Sequence, residues 1–171
     1  MLPKLVDPRR LAEQRAEFRE SIAITDLPRI EEYVESASKD VQVELVFGKD
    51  EHYRLCVSGC IEGSVDLICQ RCMEPVEVSF KQEINLVVVY SDDQAKSVPR
   101  EVDPWEVGEL ANLHELIEDE IFLALPVVAK HPIGECEPPA MKQVEIVVEQ
   151  QEGRQRPFEV LKNLTKKSEN Q

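Results

Sequence analysis

The sequence predicts an α+β protein. Its expected form is a central antiparallel sheet or small partly open β-barrel of about five to six strands, with N-terminal helices, one main helix at about 110–125 and a short C-terminal helix. Three observations predict this. Apolar residues alternate with polar ones through the middle of the chain, from Val41 to Val88. The connections between these runs are short, which favours antiparallel pairing, because a parallel crossover needs roughly a dozen residues or more. One strong helical pattern follows the alternating region. The 171 residues divide into a single α+β domain over 1–149, then a polar linker and short basic helix or tail over 150–171, with no internal repeat.

The elements follow in order. Residues 8–20 read as a short helix with Leu11 and Phe18 on one side. Residues 21–24 alternate like a brief strand. Thr25 or Asp26 is expected to cap a second helix, with Pro28 in its first turn and Ile30, Val34 and Ala37 facing inward. Alternation then marks Val41 to Phe47, Tyr53 to Val57, Val65 to Leu67, Val76 to Phe80 and Ile84 to Val88. Turn signals stand at 48–50, at Ser58-Gly59 and at Gly63-Ser64. Residues 91–108 are polar, contain Pro99 and Pro104, and read as a loop. In the main helix, Leu110, Leu113, Leu116, Ile117, Ile121 and Ala124 share one arc at about 100° per residue, and Pro126 ends it. Val144, Ile146 and Val148 suggest a last strand, and Pro157 opens a final helix through Lys167.

Composition narrows the function. Lys and Arg number 20 against 34 Asp and Glu, a net charge of −14. Wrapping a phosphate backbone over a broad surface draws on positive charge, so that class is disfavoured. The acid is concentrated at 92–125, whereas the segment from Arg154 onward is net basic. No run approaches the roughly 18–20 apolar residues of a membrane span, and residues 1–10 hold no apolar signal core. The expected location is the cytoplasm, with no membrane partner. Five cysteines there are reduced thiols or metal ligands rather than a disulfide framework.

The most specific local signal is Cys69-Gln-Arg-Cys72. This spacing places two sulfurs on one side of a tight turn, where they can share a tetrahedral metal or form a redox pair. A thioredoxin-type pair needs a helix N-terminus to lower the first thiol's pKa. Extended sequence flanks this pair on both sides, as in half of a zinc ribbon. A zinc site needs two further ligands, and His131 and Cys136, in a Pro/Gly-rich loop after the main helix, are the candidates. The plain alternative is a two-cysteine turn near a solvated histidine. Cys56 and Cys60 read as small buried thiols.

Two residues of the main helix stand out. Glu120 falls within the apolar arc, where a lone carboxylate is costly to bury. It is expected either to pair with an arginine or reach solvent, or to serve as a partner-facing or catalytic carboxylate. Phe122 points to the other side, among Glu115, Glu118 and Asp119, so that side is either covered or a contact surface. His114 has no obvious partner. No glycine-rich phosphate loop, Gly-x-Ser-x-Gly elbow or His-Glu-x-x-His motif is present. In the tail, Arg156, Phe158, Leu161, Lys162, Lys166 and Lys167 form a short element with an apolar side and basic flanks. Such a helix is marginal alone. It either docks on its own domain or contacts RNA or a protein partner.

Taken together, these segments resemble the YceD family, the bacterial large ribosomal RNA subunit accumulation proteins. The resemblance rests on Leu5-Val-Asp-Pro8, on Cys69-Gln-Arg-Cys72 followed by Glu74-Pro75, on residues 118–126, and on Pro157-Phe-Glu-Val-Leu-Lys162, in that order over nearly the whole chain. It implies a cytoplasmic, non-enzymatic ribosome-biogenesis factor supporting synthesis, processing or stability of large-subunit (23S) ribosomal RNA. Its partners would be ribosomal RNA or ribosome-assembly proteins, including a basic ribosomal protein. Many relatives carry a second two-cysteine pair after the helix; this chain has His131 and Cys136 there. The competing expectations are a thiol redox protein using Cys69 and Cys72, and a structural zinc-binding adaptor.

Overall fold

The computed structural model describes residues 2–36 and 39–139. The expected strand at 144–148 and the tail helix at 157–167 lie outside the described residues, as does Ala37. A five-stranded sheet in the order β2-β3-β4-β5-β6 forms the body, and a two-stranded sheet pairs β1 (Leu5–Val6) with β7 (Ala111–Asn112). The large sheet stays open, with β2 and β6 as its edges. The α+β class therefore holds, with an open sheet rather than a barrel.

The centre of the sheet is a meander of β3 (Asp40–Lys49), β4 (Leu55–Ile68) and β5 (Pro75–Val89). Strand β3 alternates strictly: Val41, Val43, Leu45 and Phe47 are buried, while Gln42, Glu44 and Val46 are exposed. Its turn into β4 is organised by Asp50. One carboxylate oxygen accepts the His52 and Arg54 N–H groups, both at 2.8 Å. The other accepts Arg54 Nε at 2.6 Å, while Tyr53 takes a left-handed φ of 61°.

Two expected turns are absent. Ser58-Gly59 and Gly63-Ser64 lie inside the continuous strand β4; the first pair is bonded to both β3 and β5, the second to β5. Gly59 is there because a Cβ at this position would collide with the backbone carbonyl oxygen of Glu44 on β3. The glycine thus marks a close approach of two strands, which composition alone cannot tell from a turn.

The N-terminal region also differs from expectation. Helix α1 covers only Pro8–Gln14. Asp7 caps it by accepting the Arg9 and Arg10 N–H groups, and Arg15 ends it in the left-handed region at φ 49°. Phe18 belongs instead to strand β2 (Glu17–Ala23), edge-on to Phe47 with ring centroids 5.9 Å apart. Helix α2 is a single turn, Pro28–Glu31, and neither Thr25 nor Asp26 caps it. Its cap comes from a distant helix, as described below.

Residues 91–108 hold two elements that the loop expectation missed. Ser91 starts a one-turn helix, α3 (Asp92–Ala95), and β6 (Asp103–Glu106) joins the sheet edge parallel to β5. The segment 90–102 is long enough for the crossover that a parallel partner demands. Helix α4 (Leu113–Ala124) begins at Asn112, whose side-chain oxygen accepts the His114 and Glu115 N–H groups. Its buried residues include Leu113, Leu116, Ile117 and Ile121, which join the strand residues in one core.

The close approach at Gly59 gives a direct test. Gly59→Ala is expected to lower stability by about 1–3 kcal/mol, as overpacking does. Gly48→Ala, with no atom within 4 Å of its added Cβ, should stay within about 0.5 kcal/mol of the parent. Urea unfolding of both variants measures the difference.

Candidate metal centre

Strands β4 and β5 close through a tight turn. Cys69 N–H donates to the Glu74 carbonyl and Met73 N–H to the Cys69 carbonyl, each at 2.9 Å. Met73 adopts φ 65°, which lets the chain reverse within these residues. The turn leaves Cys69 fully buried and Cys72 half-buried.

The other side of the site comes from the segment after α4. Pro126 cannot continue the helix, and the chain runs back past the turn. Gln70 N–H donates to the Ala129 carbonyl at 2.9 Å, and Gln70 Nε2 to the Val127 carbonyl at 3.5 Å. These bonds lay the loop along the turn and deliver His131 and Cys136. The ligand atoms of Cys69, Cys72, His131 and Cys136 all lie within 4.8 Å of one another.

The spacing suits a tetrahedral ion. Zinc–sulfur bonds of about 2.3 Å put neighbouring sulfurs about 3.8 Å apart, and a zinc–nitrogen bond of about 2.0–2.1 Å puts nitrogen and sulfur about 3.5 Å apart. Cys69 Sγ and Cys136 Sγ are 3.8 Å apart, and Cys72 Sγ and His131 Nδ1 are 3.4 Å apart. Three sulfurs and one ring nitrogen form a closed structural donor set. The residues present therefore fit zinc.

The electrostatics agree with that fit. Burial pushes the Cys69 thiol up, but the N–H groups of Cys72, His131 and Arg71 outweigh it and bring the thiol down to about 5. Two of these bonds to Cys69 Sγ are 3.4 Å (Arg71 N–H) and 3.5 Å (His131 N–H). Such N–H groups stabilise a thiolate, the form a metal binds. Burial raises the Cys72 thiol, and the neighbouring sulfurs of Cys136 and Cys69 push the same way. Cys56 and Cys60 lie apart on β4, both half-buried; Cys56 donates to the Arg54 carbonyl at 3.4 Å.

Helix α4 places the remaining candidates. Glu120 is 7% exposed and accepts Gln82 Nε2 from β5 at 2.9 Å. It borders a cleft of about 250 Å³ with Asp103, Trp105, Asp119 and Leu123. Phe122 lies edge-on to Tyr33 with centroids 5.4 Å apart, and the Arg29 guanidinium sits 5.3 Å from its ring centroid. His114 Nδ1 lies 3.1 Å from the Asp26 carbonyl oxygen. Arg156, Phe158, Leu161, Lys162, Lys166 and Lys167 lie outside the described residues.

Sequence reasoning missed Glu118. The helical arc puts it on the polar side, yet it is only 2% exposed. One of its oxygens accepts the Arg29 N–H at 2.8 Å, and the other lies 3.9 Å from the Arg29 guanidinium. It is the missing cap of α2. The signal in the sequence was a Pro-Arg helix start whose own N-cap position, Leu27, has no acceptor side chain.

Fold and site together define the class: an α+β protein with an open sheet, whose longest hairpin carries a Cys/His cluster suited to a metal at its tip. The chain belongs to the YceD family: the family model described as "Large ribosomal RNA subunit accumulation protein YceD" matches residues 57–165. A protein of that name from Haemophilus influenzae is 35% identical over 169 residues, covering 97% of each chain. No solved structure matches. Among the described residues, no helix is long and apolar enough to cross a membrane.

Glu120 generates a pH-dependent expectation. Burial is the main cause that holds its carboxyl above the usual range, with Asp103 and Asp119 adding and Gln82 opposing. The native state therefore holds this proton more tightly than the unfolded chain. Stability falls as pH rises from the ordinary carboxylate value through the raised one. Glu120→Gln removes that loss. The variant should melt higher than the parent at pH 7, and the gain should vanish below about pH 4, under the reference value near 4.3. Thermal melts at both pH values read the sign directly.

Proposed function

We propose that this chain supports the accumulation of large-subunit ribosomal RNA as a non-enzymatic assembly factor, with a structural zinc at Cys69, Cys72, His131 and Cys136. The observation that carries the functional half is the 35% identity to a large ribosomal RNA subunit accumulation protein over 97% of both chains. The closed donor set supports the zinc half. Four protein ligands leave no open position for substrate or water, which fits a structural ion and not a catalytic one. When bound, the ion supplies a cross-link. The protein's own residues set its place: the hairpin turn holds two ligands and the Gln70–Ala129 hydrogen bond brings up the loop with the other two.

The partner in this reading is a basic ribosomal protein or a similar assembly component. The segment 92–125 carries most of the chain's local excess of acid. The cleft that Asp103, Asp119 and Glu120 share with Trp105 offers both negative charge and an aromatic side. A lysine or arginine side chain suits such a surface. The basic residues Arg156, Lys162, Lys166 and Lys167, with Phe158 and Leu161, would supply the contact to RNA or to a second partner. The reading carries with it the cytoplasm as the place of action. The redox alternative is less well supported, because Cys69 and Cys72 lie between two strands and not at a helix N-terminus.

Two measurements test the two halves. Deleting the gene should lower the ratio of large-subunit to small-subunit ribosomal RNA and reduce the large-subunit peak in sedimentation profiles; unchanged ratios and profiles contradict the assembly role. Native mass spectrometry of the purified chain should find one zinc ion, lost on chelation with a drop in melting temperature. Cys69→Ser should bind none at the same zinc concentration. A metal-free, folded parent protein contradicts the zinc half.

A further inference from the structure

We propose that Arg71 is the positioning residue of the metal centre: its guanidinium locks the His131–Cys136 loop onto the hairpin turn and offsets the charge of the thiolates. This rests on the zinc reading above. The geometry comes from one side chain. Arg71 Nε donates to Cys136 Sγ at 3.0 Å, and Nη2 donates to the carbonyls of His131 and Pro132, both at 2.9 Å. The same residue's backbone N–H donates to Cys69 Sγ at 3.4 Å. Arg71 therefore touches ligands from both halves of the site, while itself standing between Cys69 and Cys72 in the sequence.

The loop needs such a clamp. Residues 126–139 form neither helix nor strand. Within 131–136 the backbone bond present is Glu135 N–H to the Pro132 carbonyl, at 3.2 Å, with Gly134 turned to φ 92°. That turn shapes the loop but does not attach it. The two carbonyls held by Arg71 are those of His131 itself and of the next residue, so gripping them fixes the backbone directly after the His131 Cα and limits where the ring can reach.

Charge gives the second reason. Three thiolates and a neutral imidazole around a divalent ion leave one net negative charge in a half-buried site. A guanidinium in contact with one of those sulfurs offsets it and weakens that sulfur's reactivity. Lysine would keep the charge but not the planar fork that reaches a sulfur and two carbonyls at once.

The test uses the full chain as the parent, Arg71→Gln and Arg71→Lys, with far-UV circular dichroism to confirm folding. Zinc affinity is measured by competition with a chromophoric chelator. Iodoacetamide labelling, mapped by mass spectrometry, reports each cysteine in the zinc-loaded protein. Cobalt substitution reports the thiolate-to-metal charge-transfer band. Arg71→Gln is expected to weaken zinc binding by about 10–100-fold, in the range for outer-shell partners. It should label Cys136 before Cys69, and shift the charge-transfer band to lower energy because a sulfur has lost its hydrogen bond. Arg71→Lys should restore the affinity only in part. Affinity, labelling order and band energy all equal to the parent in both variants would overturn the role of Arg71 while leaving the zinc site standing. A parent protein that binds neither zinc nor cobalt removes both.

Discussion

The structure depends on a closure between two parts of the chain about sixty residues apart. The β4–β5 hairpin presents Cys69 and Cys72 at its tip, and the segment leaving α4 returns to meet it with His131 and Cys136. Little regular structure supports this return. It runs on the Gln70–Ala129 and Gln70–Val127 hydrogen bonds, the fork of Arg71 and the four clustered ligand atoms. A long, regular hairpin thus acts as an arm, and the Cys/His cluster is where the arm meets the segment that leaves the helix. Closing so distant a pair of segments costs chain entropy, and a metal held by both would offset that cost.

Helix α4 uses two buried carboxylates in different ways. Glu118 meets the amide end and the guanidinium of Arg29, so its charge has a matched donor set and it caps α2. Glu120, two residues on, has a neutral amide partner, Gln82, and two acidic neighbours. The first environment supplies hydrogen-bond and ion-pair partners, and the second opposes charge. This contrast assigns Glu118 to architecture. In the proposed reading, Glu120, at the border of the acidic cleft, is the group whose protonation would respond to an incoming cation.

Much of this was legible in the sequence, for identifiable reasons. The alternation of Val41, Val43, Leu45 and Phe47 reports a sheet with one buried face, and the structure buries all four. Cysteine and histidine carry their chemistry openly, so Cys69 and Cys72 could be picked from spacing, and His131 and Cys136 from residue type and their place in the loop after the main helix. The errors have physical causes too. Glycine serves both turns and close strand approaches, so Gly59 and Gly63 were read as ends of strands that in fact continue. Strand β6 is short and contains Pro104, which suits an edge strand but hides it from pattern reading. Phe18 matched a helical face but lies beyond a helix that stops at the left-handed Arg15. The uncapped Pro28-Arg29 helix start was visible, but its cap Glu118, like the loop carbonyls that Arg71 holds, lies far away in the chain.

The family relationship and the site geometry meet in one claim. In the proposed reading, this chain holds a zinc ion with three sulfurs and one histidine nitrogen, and that ion ties the end of α4 to the hairpin. Zinc-edge X-ray absorption on the purified full chain tests it most directly. The account predicts a coordination shell of three sulfurs at about 2.3 Å and one nitrogen at about 2.0–2.1 Å. A shell of nitrogen and oxygen alone, or a folded protein that carries no zinc when isolated, would contradict it.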